Sequence, residues 1–98
     1  MKTLLIISGG IEAADAAKRA RDMGLHVVVS DIDVNAPGFA LAHDRLIANV
    51  YGAEETADAA ENYHRNRRKI DGVKGSLEFQ HQPRLYFNFQ PHRDDQAE

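Results

Sequence analysis

The 98-residue chain has no cysteine, which excludes disulfides and thiolate metal sites. It also has no tryptophan and only three prolines. The apolar run near the N-terminus, residues 4–7, is far too short for a signal peptide or a membrane span. A formal net charge of −3 supplies no basic field that would attract nucleic acid. These absences predict a soluble, cytoplasmic protein with no nucleic-acid partner and no membrane partner.

The first thirty residues predict a βαβ unit. Residues 3–8 (TLLIIS) are apolar on both faces, as expected of a buried parallel strand, and Gly9-Gly10 follow them. Residues 12–23 are rich in alanine and predict a helix, which Gly24 ends in the left-handed conformation. Residues 25–30 (LHVVVS) predict a second strand, parallel to the first after a right-handed crossover.

The pattern continues with a short helix at 39–43, a third strand at about 45–49, a helix at 54–68 and a fourth strand at about 71–74. The first strand is expected at the centre, with the second beside it, the third beyond the second, and the fourth on the other side. The predicted fold class is α/β, a small parallel-sheet Rossmann-like βαβα half-domain with an added C-terminal strand or hairpin.

Helical spacing predicts which faces of the two helices pack on the sheet. In the first helix the predicted face is Ile11, Ala14, Ala17, Ala20 and Met23. In the second helix it is Ala57, Ala60, Tyr63 and His64.

The composition changes after Ser76. Thirteen of the fourteen alanines precede it, whereas all four glutamines and three of the four phenylalanines follow it. We therefore divide the chain into a domain at 1–75 and a distinct tail at 76–98. Leu85, Phe87 and Phe89 alternate with polar residues, so residues 84–90 are expected to form a strand that pairs within the chain or with a second copy. The expected assembly is a homodimer, formed through the tail or a sheet edge.

The glycine turn is the first candidate site. At a turn from strand to helix, free N–H groups and the helix dipole favour an anion, so Ser8, Gly9 and Gly10 are candidate ligands of a small anionic group. The G-x-G-x-x-G fingerprint is absent, because Glu12 and Ala13 occupy its later positions, and there is no Walker lysine. The alternative is that the glycines only permit a tight turn.

Asp31 is the second candidate, because it ends the second strand about twenty residues after the glycines. An acid at that position accepts a sugar hydroxyl in many doubly wound sheets, although it is also a common turn residue. No catalytic residue is predicted. The five histidines are scattered and predict no metal site, and the basic run at 65–69 is expected to offset a helix dipole.

The order of these segments resembles the N-terminal, preATP-grasp domain of the ATP-grasp enzymes. The resemblance covers residues 1–75 and lies in LLIISGG, MGLHVVVSD, APGFALAHDRLIANVYGAEE and IDGV. It implies an isolated or truncated domain of a carboxylate ligase that helps to hold the acceptor substrate, with Gly9, Gly10 and Asp31 as the matching positions. It also implies no catalysis by this domain alone and no cofactor in this chain, since ATP and magnesium belong to later domains of that family.

Two other functions remain open from the sequence. One is a stand-alone Rossmann-type module that binds a nucleotide or sugar phosphate. The other is an interaction protein that acts through its aromatic tail.

Overall fold

The computed structural model describes residues 1–8, 10–49 and 52–75. Four strands alternate with helices along this part of the chain. The strands are β1 (Thr3–Ile7), β2 (His26–Asp31), β3 (Asp44–Ile47) and β4 (Gly72–Lys74). The helices are α1 (Ile11–Asp22), a 3-10 helix over Pro37–Leu41, and α2 (Ala53–Asn66). The short helix begins two residues before its predicted start, because Pro37 presets the backbone of its first turn.

The strands form one parallel sheet in the order β3-β2-β1-β4. In register, Leu5 of β1 lies beside Val28 of β2 and Val73 of β4, and Val28 lies beside Asp44 of β3. This order, with β1 inside the sheet, confirms the topology expected from the sequence. The apolar runs of β1 and β2 are buried on both faces because helices cover both sides.

Each face of the sheet has its own core. On one face Ile6, Val27 and Val29 pack under α1 and the 3-10 helix, where they meet Ala17, Ala20 and Phe39. On the other face α2 packs on the sheet, and the buried residues there are Leu5, Ile7, Val28, Ala57, Ala60, Tyr63 and Ile70.

The predicted packing face of α1 was partly wrong. Ile11 is 81% exposed and Met23 is 74% exposed, so neither belongs to the core. Ile11 is the first helical residue, at the rim of the sheet, and Met23 follows the last one. Ala17 and Ala20 are packed as predicted, and Ala13 and Ala16, not Ala14, complete a face with the i, i+3, i+4, i+7 spacing.

The packing face predicted for α2 was right at Ala57, Ala60 and Tyr63. His64 has a different role, because its Nδ1 accepts the backbone N–H of Ile70 at 3.0 Å and so holds the chain on its way from α2 to β4. Gly24 has φ +83°, as its predicted position after α1 requires.

The predicted domain boundary and the predicted strand at 84–90 concern residues that lie outside the described ones. In the part of the chain that is described, neither helix is long and apolar enough to cross a membrane.

Candidate functional site

The end of β1 leads directly into the glycine turn. The backbone N–H of Ser8 donates to the carbonyl of Ser30 at 2.8 Å, so pairing with β2 continues one residue past the strand. Ser8 has φ +91°, a conformation that residues with a Cβ seldom adopt. The turn therefore holds a strained serine where the chain leaves the sheet.

Gly10 is the N-cap of α1 and, because glycine has no side chain, it makes no side-chain cap bond to this helix. The first-turn N–H groups of a helix have no partner within it, and here they lie at the carboxyl edge of the sheet. The φ of Gly10 is −68°, and a Cβ built on this residue would meet nothing within 4 Å. The described structure thus leaves open space beside the Gly10 backbone, which a ligand could occupy.

Asp31 ends β2 at the same edge as Ser8. Its Oδ1 accepts the backbone N–H of Asp33 at 2.9 Å, and its carbonyl accepts the N–H of Ala48 at 3.1 Å. The first of these bonds is the turn-forming interaction considered from the sequence. Asp31 is only half-buried. The structure thus brings Ser8, Gly10 and Asp31 to one edge, whereas Gly9 lies outside the described residues.

The carboxyl edge carries an acidic rim. Glu12 lies in the first turn of α1, and Glu54 and Glu55 lie in the first turn of α2. Asp33 follows β2 and is exposed. Acids at helix N-termini complement the helix dipole, so part of the positive potential predicted for this edge is already neutralised by the chain itself.

Ser30 is the one buried side chain among the described residues whose polar atom has no hydrogen-bond partner. It is 1% exposed and lies between Ile7 and Leu46 in the register of the sheet, on the face that α2 covers. An unpaired buried hydroxyl costs about 1–3 kcal/mol.

A second polar cluster lies at the opposite, amino edge. Asp44, the first residue of β3, accepts the Tyr63 hydroxyl at 2.6 Å and lies 3.1 Å from Nε2 of His26. Its other oxygen accepts Nη2 of Arg67 at 3.2 Å. The ring of His43 stacks on that of His26 with centroids 4.6 Å apart, and its Nδ1 accepts the N–H of Val27 at 2.9 Å.

The contacts in this cluster shift three pKa values. The hydrogen bond from Tyr63 lowers the pKa of Asp44, against the opposing effect of burial, and His26 and Arg67 act in the same direction as Tyr63. Burial, and then the bond to Asp44, raises the pKa of Tyr63. Burial of the ring and then the neighbouring His26 lower the pKa of His43.

The amino-edge cluster therefore acts as a clasp that joins β2, β3 and α2. The lowered pKa of Asp44 keeps its carboxylate ionised, and both carboxylate oxygens have polar partners. The sequence alone indicates only scattered histidines, a packed Tyr63 and a basic run at 65–69 that offsets a helix dipole. Of that run, Arg67 belongs to the clasp, Arg65 lies 4.0 Å from Glu61, and Lys69 lies 3.6 Å from Asp71.

The described residues include no group of three or more histidines, cysteines or acids arranged to hold a metal ion. The clasp also lies at the far edge of the sheet from the glycine turn. These two clusters therefore do not form one site.

A four-stranded parallel sheet with this strand order, flanked by helices, is the fold of the N-terminal domain of ATP-grasp ligases, as the resemblance predicts. Solved structures of one such ligase match the chain. The N5-carboxyaminoimidazole ribonucleotide synthetase of Thermotoga maritima matches with 26% identity and a TM-score of 0.64, covering 80% of this chain and 20% of that one.

Two further structures agree with this match. The N5-carboxyaminoimidazole synthetase of Staphylococcus aureus, complexed with ADP, has 26% identity and a TM-score of 0.63 over 79% of this chain and 19% of that one. An ADP complex of N5-carboxyaminoimidazole ribonucleotide synthetase has 27% identity and a TM-score of 0.62 over the same shares. The chain thus spans about a fifth of the length of these ligases. No protein-family model and no curated protein matches it.

Proposed function

We propose that this chain serves as the acceptor-binding domain of an ATP-grasp carboxylate ligase and has no catalytic activity by itself. The observation that carries the proposal is the similarity of four fifths of the chain to one fifth of a ligase, at 26% identity. A likeness confined to one fifth of an enzyme supports a role for one part of that enzyme, and the larger part would supply the transfer chemistry.

The described residues do not fit ATP and magnesium. No set of acids on this part of the chain is arranged to hold a metal ion, and Glu12 occupies the first turn of α1, where a nucleotide triphosphate would need cations. We therefore assign ATP and magnesium to other domains of such a ligase.

The ligand class follows from the chemistry of the helix start at Gly10 and of the Asp31 carboxylate. The first-turn N–H groups after Gly10 favour an anionic group, and the Asp31 carboxylate favours a hydroxyl donor. A sugar phosphate or ribonucleotide carries both groups, and the matched ligases are named for a ribonucleotide. The acidic rim disfavours a bare anion, so the hydroxyl contact should add to affinity.

Thermal shift with ribose 5-phosphate tests this site. Ligand at 100 times its dissociation constant would stabilise the chain by about 2.7 kcal/mol. Gly10→Val should remove that increment, because the valine side chain would fill the space beside the backbone that the ligand needs. Each protein is compared with its own ligand-free state, since valine is a poor N-cap.

Gly52→Val is the matched control, because Gly52 is the N-cap of α2 and a Cβ there meets only ordinary contacts at 3.6–3.7 Å. It should respond to ribose 5-phosphate as the wild type does. An equal response of all three proteins would mean a general salt effect and would refute the site. Calorimetry with ATP and magnesium should show no binding, and micromolar affinity for ATP would contradict the proposal.

A further inference from the structure

The β3 strand lies at one edge of the sheet. In the described part of the chain, β2 is its only strand partner. Arg45 and Ile47 are exposed, whereas Asp44 and Leu46, which alternate with them, are half-buried. Residues two apart on a strand lie on the same face, so the exposed face of this edge presents a cation followed by an apolar side chain.

An open groove of about 680 Å³ adjoins the start of β3. Its floor includes the small or buried apolar residues Ala36 and Phe39, and Arg45 and Arg67 line it as well. Arginine and aromatic residues beside a small apolar floor are the composition enriched in the centres of protein interfaces. The groove is open to solvent, unlike the enclosed sites that take small molecules.

The guanidinium of Arg45 is available for an acidic partner. Its Cζ lies over the Phe39 ring, 5.8 Å from the ring centre. None of the ion pairs among the described residues involves Arg45. The carboxylate that also lines the groove, Asp44, already binds Tyr63, His26 and Arg67.

The surroundings of the groove are positive as well. After burial and His26, Arg21 and Arg68 also lower the pKa of His43, another lining residue, whereas Asp44 raises it. Asp33, the acid near this region, lies outside the lining and accepts the N–H of Asn35.

We propose that the β3 edge and this groove bind an extended acidic peptide segment of a partner protein, which adds to the sheet as a further strand. The backbone of the segment would pair with β3, a carboxylate would contact Arg45, and an apolar side chain two residues away would contact Ile47. This proposal does not depend on the acceptor-binding function, which concerns Ser8, Gly10 and Asp31.

A second copy of this chain fits the edge less well. An antiparallel pair of β3 strands centred on Arg45 would place two guanidinium groups directly opposite each other, which is unfavourable. A carboxylate opposite Arg45 makes a charge-assisted bond instead, and the planar guanidinium can hold it with two N–H donors.

Fluorescence polarisation with labelled peptides tests the proposal on the full chain. The peptide TETVT should bind about threefold more tightly than TQTVT, which has the same shape without the charge, since this is the scale of an exposed ion pair. Arg45→Gln should remove this difference. Arg45→Glu should reverse the preference in favour of TKTVT, a result that a merely structural role of Arg45 would not produce.

Arg65→Gln is the control, because Arg65 is an exposed cation of the α2 C-terminus that pairs with Glu61 and does not line the groove. It should bind both peptides as the wild type does. In NMR spectra, TETVT should shift the backbone amides of β3 and slow their hydrogen exchange.

Four results would overturn the proposal. The first is equal binding of TETVT and TQTVT, and the second is a preference that survives Arg45→Gln. The third is Arg45-dependent binding of inorganic phosphate without peptide binding, which would mark a small-anion site. The fourth is peptide binding that appears only when residues 76–98 are removed or when a dimer is diluted, because the edge would then be covered by the chain itself.

Discussion

At the scale of single residues, Asp44 carries much of the contact between β3 and α2. The hydroxyl of Tyr63 makes the shortest of its described bonds, at 2.6 Å, and the Tyr63 side chain is 1% exposed. Removal of that hydroxyl would leave a half-buried carboxylate with weaker donors. The amino-edge clasp is therefore sensitive to a single oxygen atom.

Tyr63→Phe should lower the free energy of unfolding by about 1–2 kcal/mol, the cost of an unpaired group beside a charge. Urea denaturation at pH 7 measures it. Arg67→Gln is the comparison, because this exposed cation should contribute less than about 0.5 kcal/mol. Equal losses for both variants would show that the tyrosine bond is not the principal contact of Asp44.

Tyr63→Phe should also raise the pKa of Asp44, since the hydroxyl is the main cause that lowers it. A carboxylate with a lowered native pKa stabilises the fold above its unfolded pKa, and this stabilisation is lost as pH falls through the native pKa. Between pH 7 and pH 2 the variant should therefore lose less stability than the wild type in urea denaturation, because the native pKa of Asp44 then lies closer to its unfolded pKa.

His43 should make stability depend on pH near neutrality. Its Nδ1 must be unprotonated to accept the N–H of Val27, and its native pKa lies below the ordinary value of 6.5. The unfolded chain thus binds this proton more readily, so the contribution of His43 is present above pH 6.5 and declines as pH falls through its native pKa.

His43→Asn keeps a side-chain acceptor and cannot titrate. Urea midpoints measured from pH 7.5 down to pH 5.5 should fall less for this variant than for the wild type. The difference will be small, because His43 is exposed and water screens its charge. Parallel curves for the two proteins would show that the protonation of His43 is not linked to folding.

At the scale of elements, the α1 helix depends on small side chains. Ala17 is fully buried and Ala20 is 4% exposed, so α1 can approach the sheet closely. Ala17→Leu would insert three carbons into that contact and should destabilise the protein by about 1–3 kcal/mol. Lys18→Leu, on the exposed side of the same helix, should change stability by less than about 0.5 kcal/mol. Thermal unfolding compares the two variants, and a tolerated Ala17→Leu would mean that α1 packs loosely.

Sequence patterns predicted the strands well because apolar runs such as residues 4–7 and 27–29 can be buried only between two layers. Strand order followed from general rules of βα connections. The face of α1 was harder to predict, because alanines occur on several sides of this helix and the large residues Ile11 and Met23 pointed to the wrong one. Side-chain size did not indicate the packed face of α1, because the large residues Ile11 and Met23 lie at the two ends of this helix.

The candidate site was predictable in part. The placement of Ser8, Gly10 and Asp31 at one edge could be predicted, because the carboxyl ends of adjacent parallel strands share that edge. The clasp of His26, Asp44 and Tyr63 could not be found this way, because it depends on register. The clasp forms only if β3 begins at residue 44 rather than 45. It also requires that α2 place Tyr63 at the amino edge of the sheet. The available signal was a histidine and an aspartate, each at the start of a strand.

At the scale of the whole molecule, a sheet of four strands in a short chain leaves much surface to cover. A domain of this size buries only about 60% of the surface of its unfolded chain, so association with another surface would add substantially to stability. The tail supplies the apolar residues Leu85, Phe87 and Phe89.

We predict that the full chain is at least a dimer and that residues 84–90 pair as a strand. Burial of the three apolar side chains would contribute about 1.5–3 kcal/mol each. Light scattering of the full chain and of a 1–75 truncation tests this. A monomeric full chain whose stability is unaffected by removal of the tail would refute the prediction.

The left-handed conformation of Ser8 lowers the stability of the protein at a residue of the candidate site. Ser8 adopts φ +91° at a cost of about 1–2 kcal/mol that glycine would avoid. Ser8→Gly should therefore raise the thermal midpoint, even after the greater freedom of glycine in the unfolded chain offsets part of the gain. If the hydroxyl contacts the ligand, the same change should weaken the response to ribose 5-phosphate. Glycine at position 8 would then favour stability, whereas serine would favour ligand affinity. A Ser8→Gly protein that is more stable and binds ribose 5-phosphate more weakly would show this trade-off.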